Sequence, residues 1–249
     1  MLVLLTALLA APARAQNVLS EVRALLSDWH HDPSRIDRAR ALLEQATQSR
    51  PAPEVLVALA ETWFLTGEFR ARTEQARVAA YEQGAAWARR AIAAAPRSER
   101  AHFLLAINNG RLADAEGVMR AFGLLAKVRE ESEAVLRLNP ASVEGLILAG
   151  GLAAQMPSFL GGDRAKAEAL FKRALELDPH QTGGRLEMAE LYVATRRWRD
   201  AHRELQAVLD ERSPTDVPRW TISERPRAER LLAELRERGR ITGGAPEAP

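Results

Sequence analysis

The chain of 249 residues contains no cysteine. Disulfides, thiolate metal sites and a cysteine nucleophile are thereby excluded. Aromatic side chains are scarce, 5% of residues, while 47% are hydrophobic, so alanine and leucine must carry most of the core. Those two, with arginine and glutamate, are the strongest helix formers, and an all-α fold is the expectation. Charge of one sign is lacking too: 35 basic residues stand against 33 acidic ones, a formal net charge of +2. So small an excess gives no electrostatic footprint for nucleic acid. Lysine is confined to Lys127, Lys166 and Lys172, and the other cations are arginines. The chain has no G-x-S-x-G, no H-E-x-x-H and no Walker lysine motif. Neither an enzyme nor a cofactor is expected from it.

Long apolar runs are missing except at the start. Met1 to Ala13 carries no charged side chain and leads into Ala13-Arg14-Ala15, a small-residue cleavage pattern. The run falls short of the roughly 20 residues that span a bilayer. It predicts a signal peptide over 1–15, cleavage after Ala15, and a periplasmic or secreted chain beginning at Gln16. The competing reading is a buried first helix. No cysteine follows the run, so no lipid anchor is expected, and no later segment reaches spanning length.

What is present is a period. Pro51, Pro96, Pro140, Pro179 and Pro214 each follow an apolar helical run, at spacings of about 35–45 residues, the range of helical repeats. Proline cannot continue a helix, so each closes one. In DRAKAEALFKRALELDP (163–179), Ala167, Phe171, Ala174 and Leu175 share one helical face. The next 34 residues repeat the scheme, with Met188-Ala189 and Tyr192 on a first helix and Ala201 and Leu205 on a second. Small residues let the two helices approach, and the large ones fill what remains. The frame extends backwards through Leu146 and Gly150, Leu105-Ala106, Leu59-Ala60 and Trp63, to a degenerate first unit around Ala39 and Leu43. Five helix pairs result over 16–238, with 225–238 as a capping helix and a frayed tail over 239–249. The extra residues of units two and three keep helical periodicity and predict lengthened second helices. In unit four, Pro157 stops the first helix, Gly161-Gly162 turn, and Asp163 caps the second. Gly150-Gly151 reads as close packing and Gly183-Gly184 as a turn.

The A-x3-F pattern from Ala167 to Phe171 with its closing Pro179, followed in register by the 182–215 unit, resembles the tetratricopeptide repeat (TPR) superfamily. Over roughly 76–235, the order YEQGAAWARRAI, AHFLLAINNGR, LRLNP, MPSFLGGDRAKAEALFKRALELDP resembles exported bacterial TPR proteins grouped with the T component of TRAP transporters. It is more distantly similar to the regulator-of-microtubule-dynamics family. The resemblance implies an α-solenoid with a binding surface, and for the T component an accessory role beside a TRAP-type solute-binding protein.

In such a repeat the residues offset from the packing positions of the first helix line the concave face. In this register they include Glu61 and Phe64, Phe103, Ile107 and Asn108, and Leu186 and Glu190. Phe159 and Leu160, apolar residues on a predicted loop, form a second candidate. The set is apolar and acidic, which suits an apolar or weakly cationic protein partner. A homo-oligomer is open. The alternative is a small apolar ligand held in a tunnel between the lengthened helices. His30-His31-Asp32 is the one tight group of potential metal ligands. Adjacent histidines on a helix point to different faces, so it reads as a helix end and no metal site is expected.

Overall fold

Helix formers dominate every stretch between the proline stops, and the computed structural model of the chain is helical throughout, without strands among the described residues. Those residues are 3–48, 51–115, 118–158 and 161–241; for 3–14, 118–120 and 122 only the backbone is described. Phe159, Leu160 and most of the tail lie outside them. The chain divides into two units, 1–140 and 141–249, and the boundary falls on the closing Pro140.

The first unit holds α1 (Val3–Leu26), α2 (Ser34–Ala46), α3 (Pro53–Phe69), α4 (Glu74–Ala94), α5 (Glu99–Ala115) and α6 (Val118–Leu138). They are antiparallel pairs α1/α2, α3/α4 and α5/α6. The lengthened second helices are present: α4 and α6 have 21 residues each. Helix α1 runs unbroken through the predicted cleavage point at Ala15. Its later residues pack: Val22 is buried with Ala39, Leu43, Val55 and Leu59. A second cluster is nearly all alanine, with Ala60, Ala85 and Ala88 against Leu104 and Leu105. Gly67 lies against the Tyr81 ring, so close that a methyl group there would collide with it.

The second unit holds α7 (Val143–Gln155), α8 (Arg164–Leu177), α9 (Thr182–Ala194) and α10 (Trp198–Asp210). A short α11 (Val217–Arg219) and a π turn (Trp220–Glu224) lead into α12 (Arg225–Glu237), the capping helix. One continuous core runs through it, with Phe171, Met188, Tyr192, Leu205, Val208 and Leu232 buried together. Gly150 of α7 meets the Phe171 ring of α8, as the packing argument requires. Helix α7 ends at Gln155, Gly161 takes φ 92°, and the Asp163 carboxylate accepts from the Lys166 amide at 2.9 Å. One reading is corrected: Gly183-Gly184 is not a turn. It forms the first turn of α9, where Gly184 lets the Ile147 side chain approach.

Thus each unit is a stack of TPR-like helix pairs, five pairs in all among the described residues, and the α-solenoid class read from the sequence holds.

Candidate functional site

The first helices of consecutive pairs in the first unit, α1 and α3, do not close completely against each other and the α4–α5 turn. Between them lies a cavity of about 820 Å³. Leu19, Val22 and Leu26 of α1 and Pro53, Val57 and Ala58 of α3 give it an apolar wall, closed below by Pro96. Arg23, Glu54, Glu61, Arg97 and Arg100 also line it. Glu61 accepts from Arg100 at 2.6 Å across α3 and α5, and the Arg100 guanidinium lies 5.1 Å over the Phe103 ring. The polar element is therefore a fixed ion pair backed by an aromatic face. Apolar walls with a few oriented polar groups are the usual make-up of a binding site.

Of the residues predicted to line the concave face, Glu61 lies in this cavity and Phe103 stacks behind it. Ile107 is half-buried against both the alanine cluster and the Phe64–Tyr81–Leu112 cluster. Phe64 is a packing residue, not a surface one: it is 3% exposed, with its ring 6.0 Å from Tyr81. Asn108 is fully buried. Its amide donates to the Leu104 carbonyl at 2.8 Å and fills the space opposite Gly84. The lengthened α4 covers it, which the helix register alone did not reveal. Leu186 is likewise in the core of the second unit, 4% exposed.

Glu190 faces the capping helix and accepts from Arg227 at 2.7 Å. Burial, with the like charge of Glu187 beside it, outweighs that cation and pushes its carboxyl up to about 7. Glu224, which accepts from the Thr182 hydroxyl at 2.5 Å, is also raised by burial. The last pair thus meets its own C-terminal segment through two half-buried acids, Glu190 of α9 against Arg227 and Glu224 of the π turn against Thr182. Phe159 and Leu160, expected to form a second candidate surface, lie outside the described residues.

Sequence reasoning missed the contribution of α1, where Leu19, Val22 and Leu26 recur at helical spacing in the unit read as degenerate. It also misplaced the histidine pair. Helix α1 ends at Leu26, so His30 and His31 occupy a turn, and their rings lie 3.9 Å apart instead of on opposite faces. His102, also half-buried, bonds Glu131 at 2.5 Å and the Pro96 carbonyl at 3.1 Å.

Two family models match the chain. The one described as regulator of microtubule dynamics protein 1-3 matches residues 18–156, and a tetratricopeptide repeat model matches residues 159–220. None of the curated proteins matches. Among solved structures, the thermophilic TPR protein TTC0263 of Thermus thermophilus is 25% identical, with a TM-score of 0.65 over 88% of this chain and 99% of that one. The pilF protein of Pseudomonas aeruginosa is 16% identical, with a TM-score of 0.49 over 92% of this chain and 91% of that one. Among the described residues no helix is long and apolar enough to cross a membrane.

Proposed function

The chain belongs to the regulator of microtubule dynamics protein 1-3 family, and from that premise we propose that it is a non-enzymatic, exported TPR scaffold that holds a segment of a protein partner in the α1–α3 cavity. The observation that carries this reading is the cavity itself. It is formed by the first helices of consecutive pairs, the face on which TPR arrays commonly take up peptides or helices. Its apolar walls would take leucine-like side chains, and the Glu61–Arg100 pair offers one acceptor and one donor to fix the segment's direction. Export rests on the Met1–Ala15 segment. The finer reading, in which the partner is a TRAP-type solute-binding protein, rests on the resemblance over 76–235.

A photo-crosslinking residue placed at Val57, on the cavity wall, is expected to give a discrete protein adduct in cells. The same residue at Arg89, on the exposed side of α4, is expected to give none. Equal adduct patterns from both positions, or none from Val57, would remove the proposal. N-terminal sequencing of the exported fraction is expected to begin at Gln16.

The volume of the cavity also favours a second reading, a small apolar ligand, since such sites run from roughly 300 to 1,000 Å³. It would sit between α1 and α3, not between the lengthened α4 and α6. Native mass spectrometry of the purified chain separates the two readings: a ligand carried through purification appears as a defined added mass, and a peptide groove does not.

A further inference from the structure

We propose that the turn after α1 is a binding site for a divalent metal ion of the zinc class, with Asp28, His30 and His31 as its protein ligands. One ligand atom from each lies within 4.8 Å of the other two. The imidazole rings are 3.9 Å apart and inclined by 39°, and the Asp28 carboxylate comes to 3.8 Å from His31 Nε2.

The backbone that presents them is anchored. Trp29, between the ligands in sequence, is 3% exposed, with its ring 4.4 Å from that of Phe69 and in one cluster with Ile36 and Leu65. The His31 amide donates to the Asp28 carbonyl at 3.2 Å, which closes the turn. The side chains therefore project from a fixed base. Asp32, the carboxylate that sequence adjacency suggested, is engaged elsewhere by Ser34 and Arg38.

A second observation points to a ligand. The Nδ1 atom of His30 is buried and has no hydrogen-bond partner. A buried ring nitrogen without a partner is uncommon and calls for an explanation. Ligation of the ion by Nδ1 itself supplies one. Two imidazoles and a carboxylate suit a borderline divalent ion, and three protein ligands leave a position for water.

Zinc bonds of about 2.0–2.1 Å bring tetrahedral ligand atoms to about 3.3 Å from one another. The cluster must therefore close slightly. Asp28 and His31 are 51% and 71% exposed at their side chains, so rotation about their own bonds suffices. Arg35 approaches the other Asp28 oxygen at 3.6 Å, and its charge sets the site among weak, exchangeable ones.

Titration of the untagged chain with zinc chloride by calorimetry tests this. One saturable equivalent per chain is expected, and cobalt chloride should give the visible absorption of a nitrogen–oxygen site at the same stoichiometry. His31→Ala and Asp28→Asn alter exposed atoms and should keep the fold by circular dichroism while weakening zinc at least tenfold. His180→Ala, in the second unit, should leave it unchanged. Absence of saturable binding, or undiminished affinity in His31→Ala, overturns the proposal. Neither result bears on the partner cavity, which shares none of these residues.

Discussion

The two units share one device within a pair, a glycine under an aromatic ring, and differ in helix length and in what lies between successive pairs. In the second, the paired helices have 13 or 14 residues and close around aromatic rings, Phe171 against Gly150 and Tyr192 in the same core. In the first, α3 and α5 have 17 residues, α4 and α6 have 21, and the contact between α4 and α5 is built from Ala85, Ala88 and Leu104. An alanine buries far less apolar area than a phenylalanine, so each turn of such an interface contributes less. The roughly two additional turns of α4 and α6 extend the interface instead. Both units keep one polar device. Tyr81 donates to Glu68 at 2.5 Å with Arg111 at 2.8 Å from the same oxygen; Tyr192 donates to Glu168 at 3.0 Å beside Arg197. A tyrosine, a glutamate and an arginine thus tie neighbouring helices in each, whatever the packing between them.

If the second unit depends on single large side chains, Phe171→Ala is the variant that damages it most. A fully buried phenylalanine opposite a glycine leaves a void that the backbone cannot close. The expected loss is about 3–5 kcal/mol, read from the midpoint of denaturant unfolding. A loss below about 1 kcal/mol would mean that the core repacks and that the contrast is superficial. The first unit should fail in the opposite way, by overfilling. Ala88 is fully buried between α4 and α5, and Ala88→Leu is expected to cost about 1–3 kcal/mol. Tolerance of leucine there would show that its helices are not held at alanine distance.

The difference between the units also explains what the sequence disclosed. Large residues with small partners give a readable pattern, so Phe171, Tyr192, Ala201 and Leu205 were placed correctly. Proline and glycine marked the ends of α7 and the start of α8 for the same reason. An alanine-rich helix has no such contrast, because its buried and exposed faces use similar residues. The positions that could not be resolved there are Phe64 and Asn108, both buried by the lengthened α4. Leu186 and Glu190 were assigned to an open face because the sequence does not say that the π turn returns against α9 and that α12, packed on α10, sends Arg227 to Glu190. The cavity and the Asp28–His30–His31 turn depend on where α1 ends and on its packing, neither of which periodicity fixes.

Helix starts give a smaller test. Ser142 caps α7, its hydroxyl accepting from the Gly145 amide at 3.1 Å, and Asp163 caps α8. Each change to alanine is expected to cost about 1 kcal/mol by the same unfolding measurement. In the first unit, α2 and α3 begin without a side-chain cap, and α3 instead opens on Pro53. Ala52→Ser should therefore add up to about 1 kcal/mol if capping is what its start lacks.

The last test distinguishes two acids within the second unit, and it turns on sign. Hydrogen bonds from Lys172, Arg197 and Tyr192 hold Glu168 at about 2, below the ordinary 4.5. Its contribution is fully present above pH 4.5 and is lost as pH falls towards 2. Glu190 runs the other way. Its carboxyl is raised from 4.5 to about 7 by burial and by Glu187, with Arg227 opposing. Between those values the folded chain keeps a proton that the unfolded chain has released, so stability rises as pH is lowered from above 7 to 4.5. Glu190→Gln removes that dependence without removing the side-chain volume. The difference in melting temperature between the parent and Glu190→Gln is expected to change in favour of the parent as pH falls across this window. A constant difference would mean that α12 does not bury Glu190 in solution, and that the inner face of the last pair is open to a partner after all.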